Sequence, residues 1–155
     1  MARTGTPSLR RFEGLSGNLH DYKIDVARSM LEMCRAVRSN LLLVCSSTST
    51  HASADSDALV ADLRKLAMLA VPMNLRIAYE ALSWGRHISE YPAAWEIIAR
   101  ADRAKLGMAL DSFHILAAGS DLAGIEDIDR DKIFFVQLYD FLWRDNRAAL
   151  PRVSG

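Results

Sequence analysis

Residues 75–80 read LRIAYE: an apolar run of strand length that ends on a carboxylate. Pro72 closes the helical pattern just before it, and a polar loop follows. The same unit recurs on both sides. LLLVC, Leu41 to Cys45, leads into Ser46, and LGMAL, Leu106 to Leu110, leads into Asp111. IFFVQL, Ile133 to Leu138, carries Gln137 near its end. These runs are continuously apolar rather than alternating, as strands buried on both faces must be.

Between the runs the apolar residues change to helical spacing. Ile24, Ala27, Met30, Leu31, Cys34 and Val37 follow Asp21 in this way. Leu59, Leu63, Leu66, Ala67 and Ala70 form a second stripe. Trp95, Ile98 and Ala99 are the expected stripe of a third helix over Pro92 to Ala101, and a weaker, short helix is expected near Leu122 to Ile125. Helices alternating with buried strands predict an α/β chain with a parallel sheet covered by helices. Residues 1–20, rich in Gly, Ser, Thr and Arg, are expected to be irregular, with the end of a further strand near Arg10. The α/β domain is expected over 21–146 and an irregular tail over 147–155.

The 155 residues are half apolar and one quarter charged, with a formal net charge of zero. That is the balance of an ordinary globular domain. There is no basic excess to bind nucleic acid. No apolar run approaches the roughly 18–20 residues of a membrane span. MARTGTPSLRRFEG has no apolar core of the signal-peptide kind, so the expected location is cytoplasmic. Cys34 and Cys45 fall in a predicted helix and a predicted strand with no CxxC or Cys/His pair beside them, so neither a disulfide nor a zinc site is expected. Asp127, Asp129 and Asp131 imitate the start of a calcium loop, but Lys132 and Leu138 stand where that loop needs Gly and Glu. Phosphate-binding glycine loops and the GxSxG elbow are absent. The late aromatics Phe134, Phe135, Tyr139, Phe141 and Trp143 have no basic stripe beside them and are expected to pack.

Ser46, Glu80, Asp111 and Gln137 stand at the ends of successive strands, 34, 31 and 26 residues apart. Parallel strands of a barrel all end on one face, and barrel enzymes keep their active sites there. A single polar residue after a strand ordinarily just enters a loop. Three in register after unbroken apolar strands favour a site. Two carboxylates and an amide oxygen form a hard ligand set, suited to a divalent ion such as Mg²⁺ or Mn²⁺. His114 lies three residues beyond Asp111 and would leave the same strand end, where it could exchange a proton near neutral pH. Its plain alternative is a structural histidine.

RIAYEALSWGRH (76–87), LGMALDSFH (106–114) and KIFFVQLYD (132–140) resemble the sugar phosphate isomerase/epimerase superfamily of xylose isomerase-like barrels, and within it the bacterial 3-dehydroshikimate dehydratases. The resemblance covers roughly Arg10 to Asp145. It implies a partial (β/α)₈ TIM barrel, with a divalent metal ion (Mg, Mn or Co) bound by Glu80, Asp111 and Gln137. It also implies that His114 sits at the reacting centre and that Arg10 in RRFEG, with Arg86 and His87, contacts a small-molecule substrate. The plain alternatives are a solvated terminal charge for Arg10 and helix-ordering loop residues for Arg86 and His87. The implied activity is a metal-dependent lyase converting 3-dehydroshikimate to protocatechuate in quinate and shikimate breakdown. The alternatives are an isomerase or epimerase acting on a keto-sugar, or an inactive barrel fragment. A whole barrel has eight strands in about 250 residues. The chain is therefore expected to be truncated at both ends, without the family's fourth ligand, a Glu, and to self-associate so as to cover open barrel edges.

Overall fold

The structure is a computed structural model that describes residues 6–139. The expected tail over 147–155, together with Phe141 and Trp143, lies outside the described residues. The elements run β1 (Ser8–Arg10), α1 (Gly17–Ala36), β2 (Leu41–Cys45), α2 (Ser56–Ala70), β3 (Arg76–Glu80), α3 (Tyr91–Ala101), β4 (Leu106–Asp111), α4 (Ser112–Ala118) and β5 (Ile133–Gln137), with short 3₁₀ turns at Val71–Met73, Ala123–Asp127 and Arg130–Lys132. All neighbouring strands are parallel, in the sequential order β1-β2-β3-β4-β5. The four apolar runs are thus the strands expected of them.

Local chemistry explains where the elements start and stop. The Asp55 carboxylate accepts from the Asp57 amide and caps α2. Pro92 occupies the first turn of α3, where a missing N–H leaves no bond unmade. Asp102, at φ 47°, ends the same helix in a left-handed turn. On the strands, Leu42, Val44, Ile77, Tyr79, Leu106, Met108 and Leu110 join the main core beneath the helices. Leu41, Leu43, Cys45, Ala78, Leu82 and Ala109 form a second cluster, against which Phe134 and Phe135 pack. Two apolar faces per strand are why the runs do not alternate.

Three local expectations change. Residues 1–20 are not wholly irregular, because β1 and the first turn of α1 lie within them. Leu9 and Phe12 are buried there, but a three-residue strand is too short to show a period. In α3 the buried face is Tyr91, Ala94, Ile97, Ile98 and Ala101, while Trp95 is half-buried and Ala99 exposed. A real helix, α4, directly follows β4, and the weak helix expected near 122–125 is a 3₁₀ turn at Ala123–Asp127. The signal for α4 was Asp111 itself: its carboxylate accepts from the Phe113 amide at 2.8 Å, and Gly119 at φ 70° ends the helix.

Candidate active site

Glu80 and Asp111 are the last residues of β3 and β4, each one step beyond a residue committed to the helix-side core. The strand period therefore turns both away from the helices. They line one cleft of about 550 Å³ together with Arg10, His114 and Gln137. Glu80 pairs in register with Ala109, two residues before Asp111, whereas Asp111 and Gln137 lie level with each other across β4 and β5.

Among the described residues, each carboxylate engages the protein through one oxygen. Glu80 Oε2 accepts from the Cys45 thiol at 3.3 Å, and Asp111 Oδ1 accepts from the Phe113 amide. Both residues are buried, 4 % and 6 % exposed. Among the described residues neither is ion-paired to a Lys, Arg or His. Burial raises the Glu80 pKa above the usual carboxylate range; the nearby Asp111 charge adds to this, and the Cys45 hydrogen bond and Arg10 oppose it. A carboxylate oxygen of Glu80, one of Asp111 and a ring nitrogen of His114 all lie within 4.8 Å of one another, so the three groups face one small volume. The half-buried Gln137 donates its amide N–H to the Tyr139 hydroxyl, which leaves its carbonyl oxygen for another partner.

His114 is fixed by the loop after β3. The Ser83 amide donates to His114 Nδ1 at 3.2 Å, and the Ser83 hydroxyl lies at the same distance. A backbone N–H can only donate, so Nδ1 presents its lone pair and the neutral ring carries its proton on Nε2. Burial lowers the His114 pKa, and the Asp111 charge works against that. Both the burial and the Ser83 hydrogen bond favour a neutral ring.

Arg86 and His87 are exposed and do not line the cleft. The Arg86 amide donates to the Ser47 carbonyl at 2.7 Å, and His87 Nε2 donates to the Ala52 carbonyl at 2.9 Å. They tie the loop after β3 to the loop after β2. The Ser46 hydroxyl strengthens that tie by accepting from the Leu82 amide. Sequence reasoning missed Arg11, Thr48 and Trp84 on the cleft wall. Arg11 adopts φ 54° and donates from Nε to Thr48 Oγ1. Nothing in its sequence context announces that turn. Trp84 lies within RIAYEALSWGRH, where a large aromatic in a polar loop is the available signal.

Comparison with known proteins agrees with the fold. The chain is 42% identical to a 3-dehydroshikimate dehydratase of Pseudomonas putida over 131 residues, 84% of this chain and 21% of that protein. It is 40% identical to the same enzyme of Pseudomonas aeruginosa over 131 residues, with the same two coverages. It therefore spans about one fifth of the length of these relatives. Among solved structures it superposes on a xylose isomerase-like TIM barrel/4-hydroxyphenylpyruvate dioxygenase fusion protein with a TM-score of 0.81 and 42% identity, covering 83% of this chain and 21% of that one. The family model described as xylose isomerase-like TIM barrel matches residues 4–150, and the chain belongs to that family.

Proposed function

We propose that this cleft is the metal-binding part of a lyase that dehydrates 3-dehydroshikimate to protocatechuate. One observation carries the reading. Two buried carboxylates, Glu80 and Asp111, each with one oxygen that makes no hydrogen bond among the described residues, lie beside His114 in one open cleft, in a chain 42% identical to a named 3-dehydroshikimate dehydratase.

The donor set fits a hard divalent cation. Two carboxylates that form no salt bridge among the described residues supply the charge, and the Gln137 carbonyl supplies a neutral oxygen. When bound, such an ion offers Lewis acidity to a substrate carbonyl and offsets the charge left by proton loss beside it. In this reading Glu80, Asp111 and Gln137 hold the ion. His114 offers its Nε2–H to a substrate oxygen that gains negative charge, as a neutral imidazole can. Ser83 keeps the ring in that tautomer. Arg10 takes the substrate carboxylate, and neither it nor Arg11 forms a salt bridge among the described residues. Arg86 and His87 order the loops without touching substrate. Dehydration removes a ring C–H proton beside the carbonyl and expels a neighbouring hydroxyl as water, after which enolisation makes the ring aromatic.

Incubating the chain with Mn²⁺ and 3-dehydroshikimate while following protocatechuate absorbance tests this. The expected result is metal-dependent formation of the aromatic product, slower than the roughly 1–10³ per second of ordinary enzymes, and abolished in Asp111→Ala. An isomerised product without aromatic absorbance would contradict it and favour an epimerase.

A further inference from the structure

We propose that the exposed indole of Trp84 is the wall against which the substrate ring lies, and that it selects rings able to flatten over rings that stay puckered. This rests on the dehydratase reading of the same cleft. Trp84 is 55% exposed, and of the described residues with large exposed apolar side chains it is the one that lines the cleft. A solvent-facing indole beside a polar site keeps a large apolar face available for a ligand.

The ring is placed from both sides along the chain. Ser83, just before it, is tied through its amide and hydroxyl to His114 Nδ1. Gly85, just after it, sits where a Cβ would come within 2.0 Å of the Ile88 carbonyl oxygen and 2.6 Å of Ser46 Oγ, so the turn closes this tightly only on glycine. The Gly85 amide also donates to the Leu82 carbonyl at 2.8 Å. The indole meets the His114 ring at 4.8 Å between centroids, with the planes 70° apart. The Phe113 ring meets the indole as well, at 6.3 Å between centroids, so a ring that reaches His114 from the cleft has Trp84 within contact range.

The chemistry gives this contact a direction. The substrate ring carries saturated carbons and is puckered. Loss of water and enolisation leave it flat and aromatic. Offset stacking needs a flat face. The contact with Trp84 therefore improves as the ring flattens, and an interaction that strengthens along the reaction favours the forward step over simple binding. A polyhydroxylated ring that remains saturated gains much less.

Calorimetry on the 155-residue chain with Mn²⁺ tests this, using protocatechuate as the flat ligand and quinate as a puckered ring with the same carboxylate. Trp84→Ala should weaken protocatechuate binding roughly three- to tenfold and quinate binding less than twofold. Trp84→Phe should restore most of the protocatechuate affinity, and Mn²⁺ affinity should be the same in all three proteins. Protocatechuate should quench tryptophan fluorescence in the wild type, and that quenching should vanish in Trp84→Phe although this variant still binds. If Trp84→Ala binds protocatechuate as wild type does, or loses both ligands equally, the inference is overturned while the dehydratase reading stands. If the wild-type chain with Mn²⁺ binds neither ligand, both are overturned.

Discussion

Cys45 and Glu80 face each other across β2 and β3, and the Cys45 thiol donates to Glu80 Oε2 at 3.3 Å. Parallel register partners point to the same side of a sheet, so a small donor on β2 orients a carboxylate on β3. Burial pushes the Cys45 thiol up to about 12, and the neighbouring Glu80 charge adds to this. The group stays a thiol, and the thiolate is the reactive species. Iodoacetamide at pH 8 should therefore leave Cys45 unmodified in the folded chain and modify it once the chain is denatured, as read by mass spectrometry. Prompt native labelling of Cys45 would show that the strand pair opens readily.

Glu13 ties three segments together. Its Oε1 accepts from the Ser47 amide and from the Tyr79 hydroxyl, while Oε2 is buried without a partner among the described residues. Glu13→Ala would strand two buried donors and should cost roughly 2–4 kcal/mol in urea unfolding. Burial holds the Glu13 carboxyl above its ordinary 4.5, so the folded chain keeps a proton that the unfolded chain releases. Its stabilising contribution is full below about 4.5 and falls as pH rises through the folded value. Glu13→Gln cannot titrate there, so its stability should fall less than that of the wild type between pH 4.5 and neutrality. Parallel curves for the two proteins would contradict this.

Gly107 lets β5 approach β4. A Cβ on it would meet the Lys132 carbonyl at 2.4 Å and the Phe134 ring at 2.8 Å. Gly107→Ala must displace backbone, and should destabilise by roughly 1–3 kcal/mol and disturb the Asp111–Gln137 register. Thermal melts with and without Mn²⁺ would show both effects. An unchanged melting temperature would mean that β5 shifts freely.

β1 and β5 border the described sheet, and Val136 on β5 is 55% exposed. An edge strand with an exposed branched side chain is open to pairing with another chain. Size exclusion should show association that grows with concentration and decreases in Val136→Lys. A monomer at high concentration would contradict this expectation.

The strands and the carboxylates were legible because each β unit repeats one signal, an apolar run ending in a polar residue. Glu80 and Asp111 needed nothing more than that rhythm. The first strand was not legible as a period, since Leu9 is buried by helices folded against it rather than by any local pattern. Helix α4 went unseen because Asp111 serves both as cleft carboxylate and as helix cap, and only the first role was read. Arg86 and His87 were placed in the site through a motif, yet their bonds to Ser47 and Ala52 come from a loop more than thirty residues away. Spacing along one loop cannot show which neighbour it will meet. The tautomer of His114 was equally out of reach, because a backbone amide on another loop sets it.

Glu80 and Asp111 are proposed to hold one divalent ion at this strand end. Mn²⁺ calorimetry on the wild type, Glu80→Gln and Asp111→Asn tests it most directly. Asp111→Asn keeps an oxygen to cap α4, so folding can be matched by circular dichroism while the charge is removed. The expected result is one Mn²⁺ per wild-type chain and at least about tenfold weaker binding in each variant. A wild-type chain that binds no Mn²⁺, or variants that bind it as the wild type does, would contradict it.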